Sequence, residues 1–479
     1  MHEGWPSEDC TTPHIFRLPV EILQYIFRQA VLCSFDKDPT MHFETLDLSR
    51  CSLSSVCSWW RDIVISHHVL WASISYASFG GIPTPLNWIR LCLLRSGRHD
   101  LHLAIDTSSG DFNPLPSNFS LRKQNRNSTI GHLISFLDTM EDDMDRVFRL
   151  SVHAQYEHLQ KIIIPLARIP KLKRLLLAVV VAPSRDIDVT MFGGLERLEL
   201  CTNSMDRTTL VSLLTQCPSL RHLCLKTRFP PRHCRLGQSA HPALHAPRLH
   251  TLHLESVLPA RAFDAPELKR LVSIPALGMG KDDFWWETNH FGVRTPDHHE
   301  EVALGHFPQL RQLTVSAWWN ELDHLEPSIR LIQAHPDISE ITLHGHRGAG
   351  KLLAGAFQRT FLRCPTIPPS ADDGQEACAA LENGMESEIQ VPTALRFLTI
   401  QCNSCALDES MATVLRNMML ASDVLRIVIL LRPHAGGVAM PNRPRNYTPL
   451  FTEFPGRCYW GILPSSATRF QDVDGVCLA

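Results

Sequence analysis

Between Ile15 and Ile74 the apolar residues come in three short runs at helical spacing. In the first, Leu23, Ile26, Phe27 and Ala30 lie one, four, five and eight residues after Ile22, just past Pro19. That pattern is one apolar helix face, and a proline is well placed in a first helical turn because its missing N–H has no intrahelical partner there. In the second, Leu53, Val56, Cys57, Trp60, Ile63 and Val64 repeat the pattern, with Ser49 or Ser52 as the expected N-cap. A third, shorter helix is expected to hold Val69, Leu70 and Ile74. Three small helices in about sixty residues bury little surface by themselves, so part of this apolar area is expected to meet a partner.

Beyond residue 76 the period changes. A helix is predicted around Trp88, Leu91, Cys92 and Arg95, then an alternating strand at Leu101, Leu103 and Ile105. A polar loop leads to a helix carrying Ile130, Leu133, Ile134 and Leu137. A strand at Phe148, Leu150 and Val152 follows, then a helix carrying Tyr156, Leu159, Ile163 and Leu166.

From Pro170 a unit recurs, of the form Pro-x-Leu-x-x-Leu-x-Leu. Its first leucine stands at Leu172, Leu195, Leu220, Leu249, Leu268, Leu310, Ile338, Leu395 and Leu425, at spacings of 23, 25, 29, 19, 42, 28, 57 and 30 residues. The last two apolar positions are two apart and share one face of a strand. Amphipathic stretches lie between units: Leu210, Leu213, Leu214 and Cys217 after Asp206, and Met411, Val414, Leu415 and Met418 after Asp408, both aspartates being expected N-caps. One such unit cannot bury its own apolar face, whereas stacked units can. The spacings of 42 and 57 imply a missed unit or a long insertion. A single α/β domain with leucine-rich strands is the competing architecture.

The run "RLPVEILQYIF…LSSVCSWWRDIV…LWASI" resembles an F-box, the module that docks substrate receptors onto a Skp-type adaptor in cullin-based ubiquitin ligases. It departs from the family pattern in a long insertion between Ala30 and Leu53 and in His68 standing where a proline is common. The resemblance implies that Leu18, Pro19, Ile22, Leu23 and Ile26 touch the adaptor, with Val56, Cys57 and Trp60 nearby. The repeats resemble an irregular leucine-rich-repeat solenoid of the kind that often follows an F-box. The expected fold class is therefore α/β: a small three-helix module, then a solenoid with a parallel strand ladder and outer helices. The expected divisions are a disordered start (1–14), the F-box-like module (15–76), the solenoid (77–431) and an irregular tail (432–479). Loops interrupt the solenoid at 227–248, 279–301 and 366–390.

Composition narrows the function. At 479 residues the chain has room for more than one domain, and 44% hydrophobic with 20% charged residues is globular. A net charge of −3 argues against nucleic acid or an anionic membrane as partner. No apolar run is long enough to span a membrane. The start shows neither the basic residues nor the apolar core of a signal peptide. The 15 scattered cysteines read as free thiols, and a cytoplasmic or nuclear location is expected.

Chemical motifs are weak. Gly345 to Lys351 fits the phosphate-loop spacing, but Leu352 stands where Ser or Thr must ligate magnesium. Cys402 and Cys405 form a lone pair, as do His344 with His346 and His298 with His299, and Asp282 with Asp283 lacks any supporting pattern. No metal, cofactor or active site is expected. The residue before the second leucine of each unit should point outward from the sheet: Arg174, Arg197, His222, Thr251, Arg270, Gln312, Glu340 and Phe397. Its N-terminal half is basic. Together with Trp285 and Trp286 in the 279–301 loop, Arg174, Arg197, His222 and Arg270 are the candidate surface for an acidic or phosphorylated target, with an ordinary solvated face as the alternative. The leading expectation is a non-catalytic substrate receptor bound to a Skp-type adaptor, through it to a cullin, and to an unknown target protein. A non-degradative scaffold is the second reading and a nucleotide-driven switch the third.

Overall fold

The computed structural model describes residues 14–37, 43–79, 82–107, 131–154, 169–179, 193–202, 207–227, 244–255, 263–274, 307–317, 332, 335–345, 391–403, 409–432 and 448–462. Trp285, Trp286, the predicted helix after residue 155, the phosphate-loop spacing after Gly345, Cys405, and the loops 279–301 and 366–390 lie outside them. The chain forms two compact units, divided between Val181 and Ala182.

The first unit opens with α1 (Val20–Lys37), α2 (Phe43–Ser55), α3 (Ser58–Ser66) and α4 (His68–Trp71). The second predicted helix is thus two. The chain breaks after Ser55, and Cys57 caps α3, its sulfur accepting the Trp60 N–H at 3.4 Å. Much of the insertion after Ala30 is helical, since α1 runs on to Lys37 and α2 begins at Phe43. Ile74 is not helical. It lies buried in β1 (Ser73–Phe79), so the boundary expected at residue 76 falls inside a strand. The alternation Ile74, Tyr76 accounts for this: both side chains lie on one face of the strand at period two, and Ser73, Ser75 and Ala77 lie on the other, where they too are buried.

Strand β1 turns back through the short β2 (Ile82–Pro83) into α5 (Leu86–Ser96). It then pairs in parallel with β3 (Leu101–Asp106), which pairs with β4 (Val147–Ala154), which pairs with β5 (Arg174–Val179). Residues 131–139 are helical, as predicted. The ring of Phe136 stacks on Tyr76 at 4.8 Å, and burial pushes the Tyr76 phenol up to about 12.

Among the described residues, the second unit is a ladder of nine parallel strands: β6 (Arg197–Thr202), β7 (His222–Thr227), β9 (Thr251–Glu255), β11 (Arg270–Ile274), β12 (Gln312–Ala317), β13 (Glu340–Gly345), β14 (Phe397–Asn403), β15 (Arg426–Arg432) and β16 (Cys458–Ile462). The two-residue strands β8 (Leu244–His245) and β10 (Phe263–Asp264) pair with each other beside it, so the loop predicted over 227–248 ends in structure. Every predicted repeat strand is present. Strands β11 and β12 are direct neighbours, and so are β13 and β14, which makes the 42- and 57-residue spacings insertions between adjacent rungs. The tail expected to be irregular adds a helix (Thr448–Glu453) and a ninth strand. Arg457 ties this end together: its guanidinium donates to the carbonyls of Met419 at 3.1 Å, Leu425 at 3.2 Å and Ser422.

The registers align the leucines. Leu198, Leu223, Leu252, Leu271, Leu313, Ile341, Leu398 and Ile427 are consecutive rungs of one inner row, each at most 1% exposed. Each buried side chain contributes about 2 kcal/mol before the entropy of ordering it is set against it. The helices Arg207–Gln216 and Glu409–Ala421 bury the residues predicted from their period, Leu210, Leu213 and Leu214 in one and Met411, Val414, Leu415 and Met418 in the other. Asp206 and Asp408 fall outside the described residues. The architecture is α/β with parallel strands and helices, a leucine-rich-repeat-like solenoid.

Candidate functional site

Two surfaces gather the residues singled out in the sequence. The first is on α1. Adjacent helical positions are rotated by about 100°, so the five apolar residues read as one face divide into two. Leu23, Phe27 and Val31 point inward and are fully buried. Ile22, Tyr25 and Ile26 point outward and are 47%, 62% and 43% exposed. Pro19 is exposed and Leu18 half-buried, where the 3-10 turn His14–Arg17 leads into α1. Leu23 is the exception among the residues expected to touch a partner: it is enclosed by the module's own core, and it supports the outward face from behind.

The neighbouring helices are held by specific contacts. The ring of Trp60 lies 4.7 Å from that of Phe27, clamping α3 to α1. Trp60 and Cys57 are half-buried, Cys57 serving as the cap, while Val56 is 58% exposed between α2 and α3. Val20, Tyr25 and Leu48 are also exposed and apolar, beyond the residues that the sequence pattern singles out. Tyr25 stands three residues after Ile22, the spacing that could have found it. At the end of the module, Trp71 donates from its indole nitrogen to the Val64 carbonyl at 2.7 Å, and the guanidiniums of Arg50 and Arg95 lie over its ring.

The second surface is the outer face of the ladders, whose residues are placed by a repeated turn. In Cys217-Pro218-Ser219-Leu220 the Leu220 N–H donates to the Cys217 carbonyl at 3.0 Å. Pro218 takes the position where its fixed φ favours a turn. The same bond recurs at Leu249, Leu268, Leu310, Ile338 and Leu395. Each turn then docks on the previous rung. The N–H groups of Arg221 and His222 share the Glu196 carbonyl, and those of Lys269 and Arg270 share that of His250. The backbone of each outward residue is thereby fixed.

In the first unit Arg174 pairs in register with Arg149, and Arg149 with His102; the Arg174 guanidinium lies 5.7 Å over the Phe148 ring. Burial, with Arg149 and Arg174 beside it, holds His102 well below the usual imidazole range. His102 meets the Ser151 hydroxyl at 3.3 Å, and Asp106 meets His153 at 3.4 Å. These contacts put the hydroxyl and the carboxylate on different imidazoles, whereas a nucleophilic relay needs one imidazole between both. Among the described residues no group of three His, Cys, Asp or Glu is placed to hold a metal, and no described helix is long and apolar enough to cross a membrane.

In the second unit Arg197, His222, Thr251, Arg270, Gln312, Glu340 and Phe397 form one outward row across seven strands. Arg197 and His222 are exposed and Arg270 is half-buried. Glu199 and His253 sit one outward position further along their strands, and Lys226 one position beyond that. Lys226 meets Glu199 at 2.9 Å. Burial alone would raise the Glu199 carboxyl, but the charge and hydrogen bond of Lys226, with Arg197 and His253, bring it below the usual carboxylate range. His253 is pushed down to about 4 by burial and then by Lys226, with Arg270 and Arg197 adding and Glu199 opposing. The ion pair depends on the pairing of β6 with β7, which single-strand patterns do not reveal.

The His253 shift has a pH consequence. The unfolded imidazole takes its proton near pH 6.5 and the folded one only near pH 4, so acidification through that window favours the unfolded chain. Between pH 7 and pH 5 the wild type should lose about 2 kcal/mol that a His253→Gln variant does not lose. Urea melts of both at the two pH values measure this, and equal losses would show that the burial does not act as described.

Comparison with known proteins follows the same line. Residues 144–285 match the family model described as "FBD-associated F-box protein At5g56370, LRR repeats". The match begins within the first unit's ladder and runs across the strands β4 to β11. No curated protein matches the chain. The matched segment is thus similar to the leucine-rich repeats of an F-box family, and with the helical module that precedes it, whose face is exposed and apolar, it is consistent with an F-box protein carrying a leucine-rich-repeat-like domain.

Proposed function

We propose that the chain is the substrate-recognition subunit of a Skp-cullin-F-box ubiquitin ligase, acting in the cytoplasm or the nucleus. The observation that carries this reading is the division of α1: its core side is sealed by Leu23 and Phe27, yet Ile22, Tyr25 and Ile26 remain open. A soluble module gains nothing from side-by-side exposed apolar residues unless another polypeptide covers them. Leu18, Pro19, Ile22, Ile26 and Val56 hold the adaptor, with Cys57 and Trp60 fixing the helix beside them. The ladders' outer face holds the target. The chain performs no chemistry. It raises the local concentration of target lysines near a separate ubiquitin-transferring enzyme, as tethering does without any new bond.

Co-purification with a Skp-type adaptor and a cullin tests the reading. The wild type should recover both, and a Leu18→Ala/Pro19→Ala variant should recover neither above background. Equal recovery by both proteins contradicts the assignment. Adaptor without cullin favours a non-degradative scaffold.

A further inference from the structure

We propose that the rim where strands β7, β9 and β11 begin is a docking ridge for a run of acidic residues on the target protein. This deepens the receptor reading and rests on it. The outer face is not open throughout. In the next row along the strands Glu199, Cys224, His253, Val272 and Thr314 are each at most 9% exposed, so a partner gains little there. The rim differs: Arg221, Arg248 and Lys269 are all exposed. Arg221, His250 and Lys269 are successive members of one column, since the His250 N–H donates to the Arg221 carbonyl and the Lys269 N–H to that of His250. Neighbouring strands are about 4.8 Å apart, which puts the backbones of Arg221 and Lys269 about 10 Å from each other. Arg248 belongs to the rung between them, in the turn closed by the Leu249 N–H on the Ala246 carbonyl at 3.1 Å.

Charge decides the partner. Three carboxylates of the rim are already engaged: Glu267 with His250 at 3.2 Å, Asp264 with His245 at 2.7 Å and Asp337 with Arg311 at 3.2 Å. Among the described residues none pairs with Arg221, Arg248 or Lys269. Glu267 offsets one of these three cations, and two positive charges remain in excess. They stand on exposed side chains spread along about 10 Å of rim, a ridge and not a cup. A run of carboxylates covers such a ridge, whereas one compact phosphate reaches only part of it. Exposed charges each contribute little and are screened by salt, so several must act together. The chain's net charge of −3 disfavours a nucleic acid as the polyanion. The ridge has two ends. Glu196 precedes Arg221 in the column, its carbonyl taking the Arg221 N–H at 2.8 Å, and its carboxylate repels an acidic run there. Beyond Lys269 the next cation, Arg311, is taken by Asp337.

The test is fluorescence anisotropy with the full-length chain at about 50 mM and about 300 mM salt. The first labelled peptide is Gly-Ser-Glu-Asp-Glu-Glu-Asp-Glu-Ser-Gly. A second replaces its acids by glutamine and asparagine, and a third carries one phosphoserine in place of the acidic run. A labelled single-stranded oligonucleotide is the fourth probe. At the lower salt the first should bind at least tenfold more tightly than the other three, and the higher salt should weaken it at least fivefold. Arg221→Gln/Lys269→Gln should weaken it at least fivefold, and adding Arg248→Gln should weaken it further. Arg90→Gln/Arg98→Gln removes the same charge from exposed positions of the first unit and should leave the affinity within twofold. No binding of the first peptide, equal or tighter binding of the phosphoserine peptide or the oligonucleotide, or equal losses from the two double substitutions overturns the ridge. Adaptor capture is measured beside each titration. Capture without peptide binding sinks the ridge alone, and peptide binding without capture sinks the ligase reading while supporting the ridge.

Discussion

Replacing Ile22 and Ile26 together by aspartate is expected to lower affinity for a Skp-type adaptor at least 100-fold while leaving the chain folded. Both side chains are exposed, at 47% and 43%, and neither belongs to the buried core of the module, so the folded monomer loses little. In a complex the exposed part of each isoleucine would contribute about 1 kcal/mol, and each aspartate would add the cost of drying a charge. A loss of about 3 kcal/mol already corresponds to more than 100-fold in dissociation constant. Titration calorimetry with purified adaptor reads the affinity and thermal melting reads the fold. The matching inward change, Leu23→Ala, should do the reverse: it costs about 3 kcal/mol of stability because it empties a fully enclosed site. If the outward pair leaves affinity unchanged, the exposed face is not the docking surface.

Substituting Arg50 by methionine is expected to cost about 3 kcal/mol of stability in the first unit. Arg50 is 1% exposed, the largest of the fully enclosed side chains among the described residues. Its Nε donates to the Leu70 carbonyl at 2.8 Å and its Nη2 to the Ser73 carbonyl. One side chain from α2 thus ends the α4 turn and begins β1, joining the helical module to its first strand. Methionine fills much of the space but leaves both carbonyls without these donors. Lysine offers a point charge and no planar fork, so Arg50→Lys should recover only part of the loss. Chemical denaturation monitored by tryptophan fluorescence suits the measurement, because Trp71 lies beside the guanidinium. A change below about 0.5 kcal/mol, the range of an ordinary surface substitution, would mean the joint is held by other contacts.

The ladder was legible in the sequence because a period of two with leucine on one side leaves a strand few alternatives. The register confirmed it rung by rung, from Leu198 to Ile427. What escaped was chemistry that carries no period. In β1, Ser73, Ser75 and Ala77 are small or polar although buried, and only Ile74 and Tyr76 mark the strand, so the pattern reads as the end of a helix. In β16, Gly461 and flanking prolines masked a short strand that exists because β15 offers its edge. The α1 face was visible as apolar, but which part remains open depends on where α2 and α3 pack. Ile22 and Leu23 are neighbours in sequence with opposite fates. Arg197, His222 and Arg270 could be placed outward from the strand pattern alone. The Lys226–Glu199 pair that neutralises part of that surface required knowing that β6 lies beside β7. Arg50 gave no signal at all, since one arginine in a polar stretch says nothing about burial.

Amide hydrogen exchange of the full-length chain, alone and with excess purified Skp-type adaptor, tests the central claim most directly. The account predicts new protection concentrated in residues 18–27 and 56–60, with the ladder strands unchanged. Unaltered exchange across those residues at saturating adaptor, or protection confined to the ladders, would contradict it.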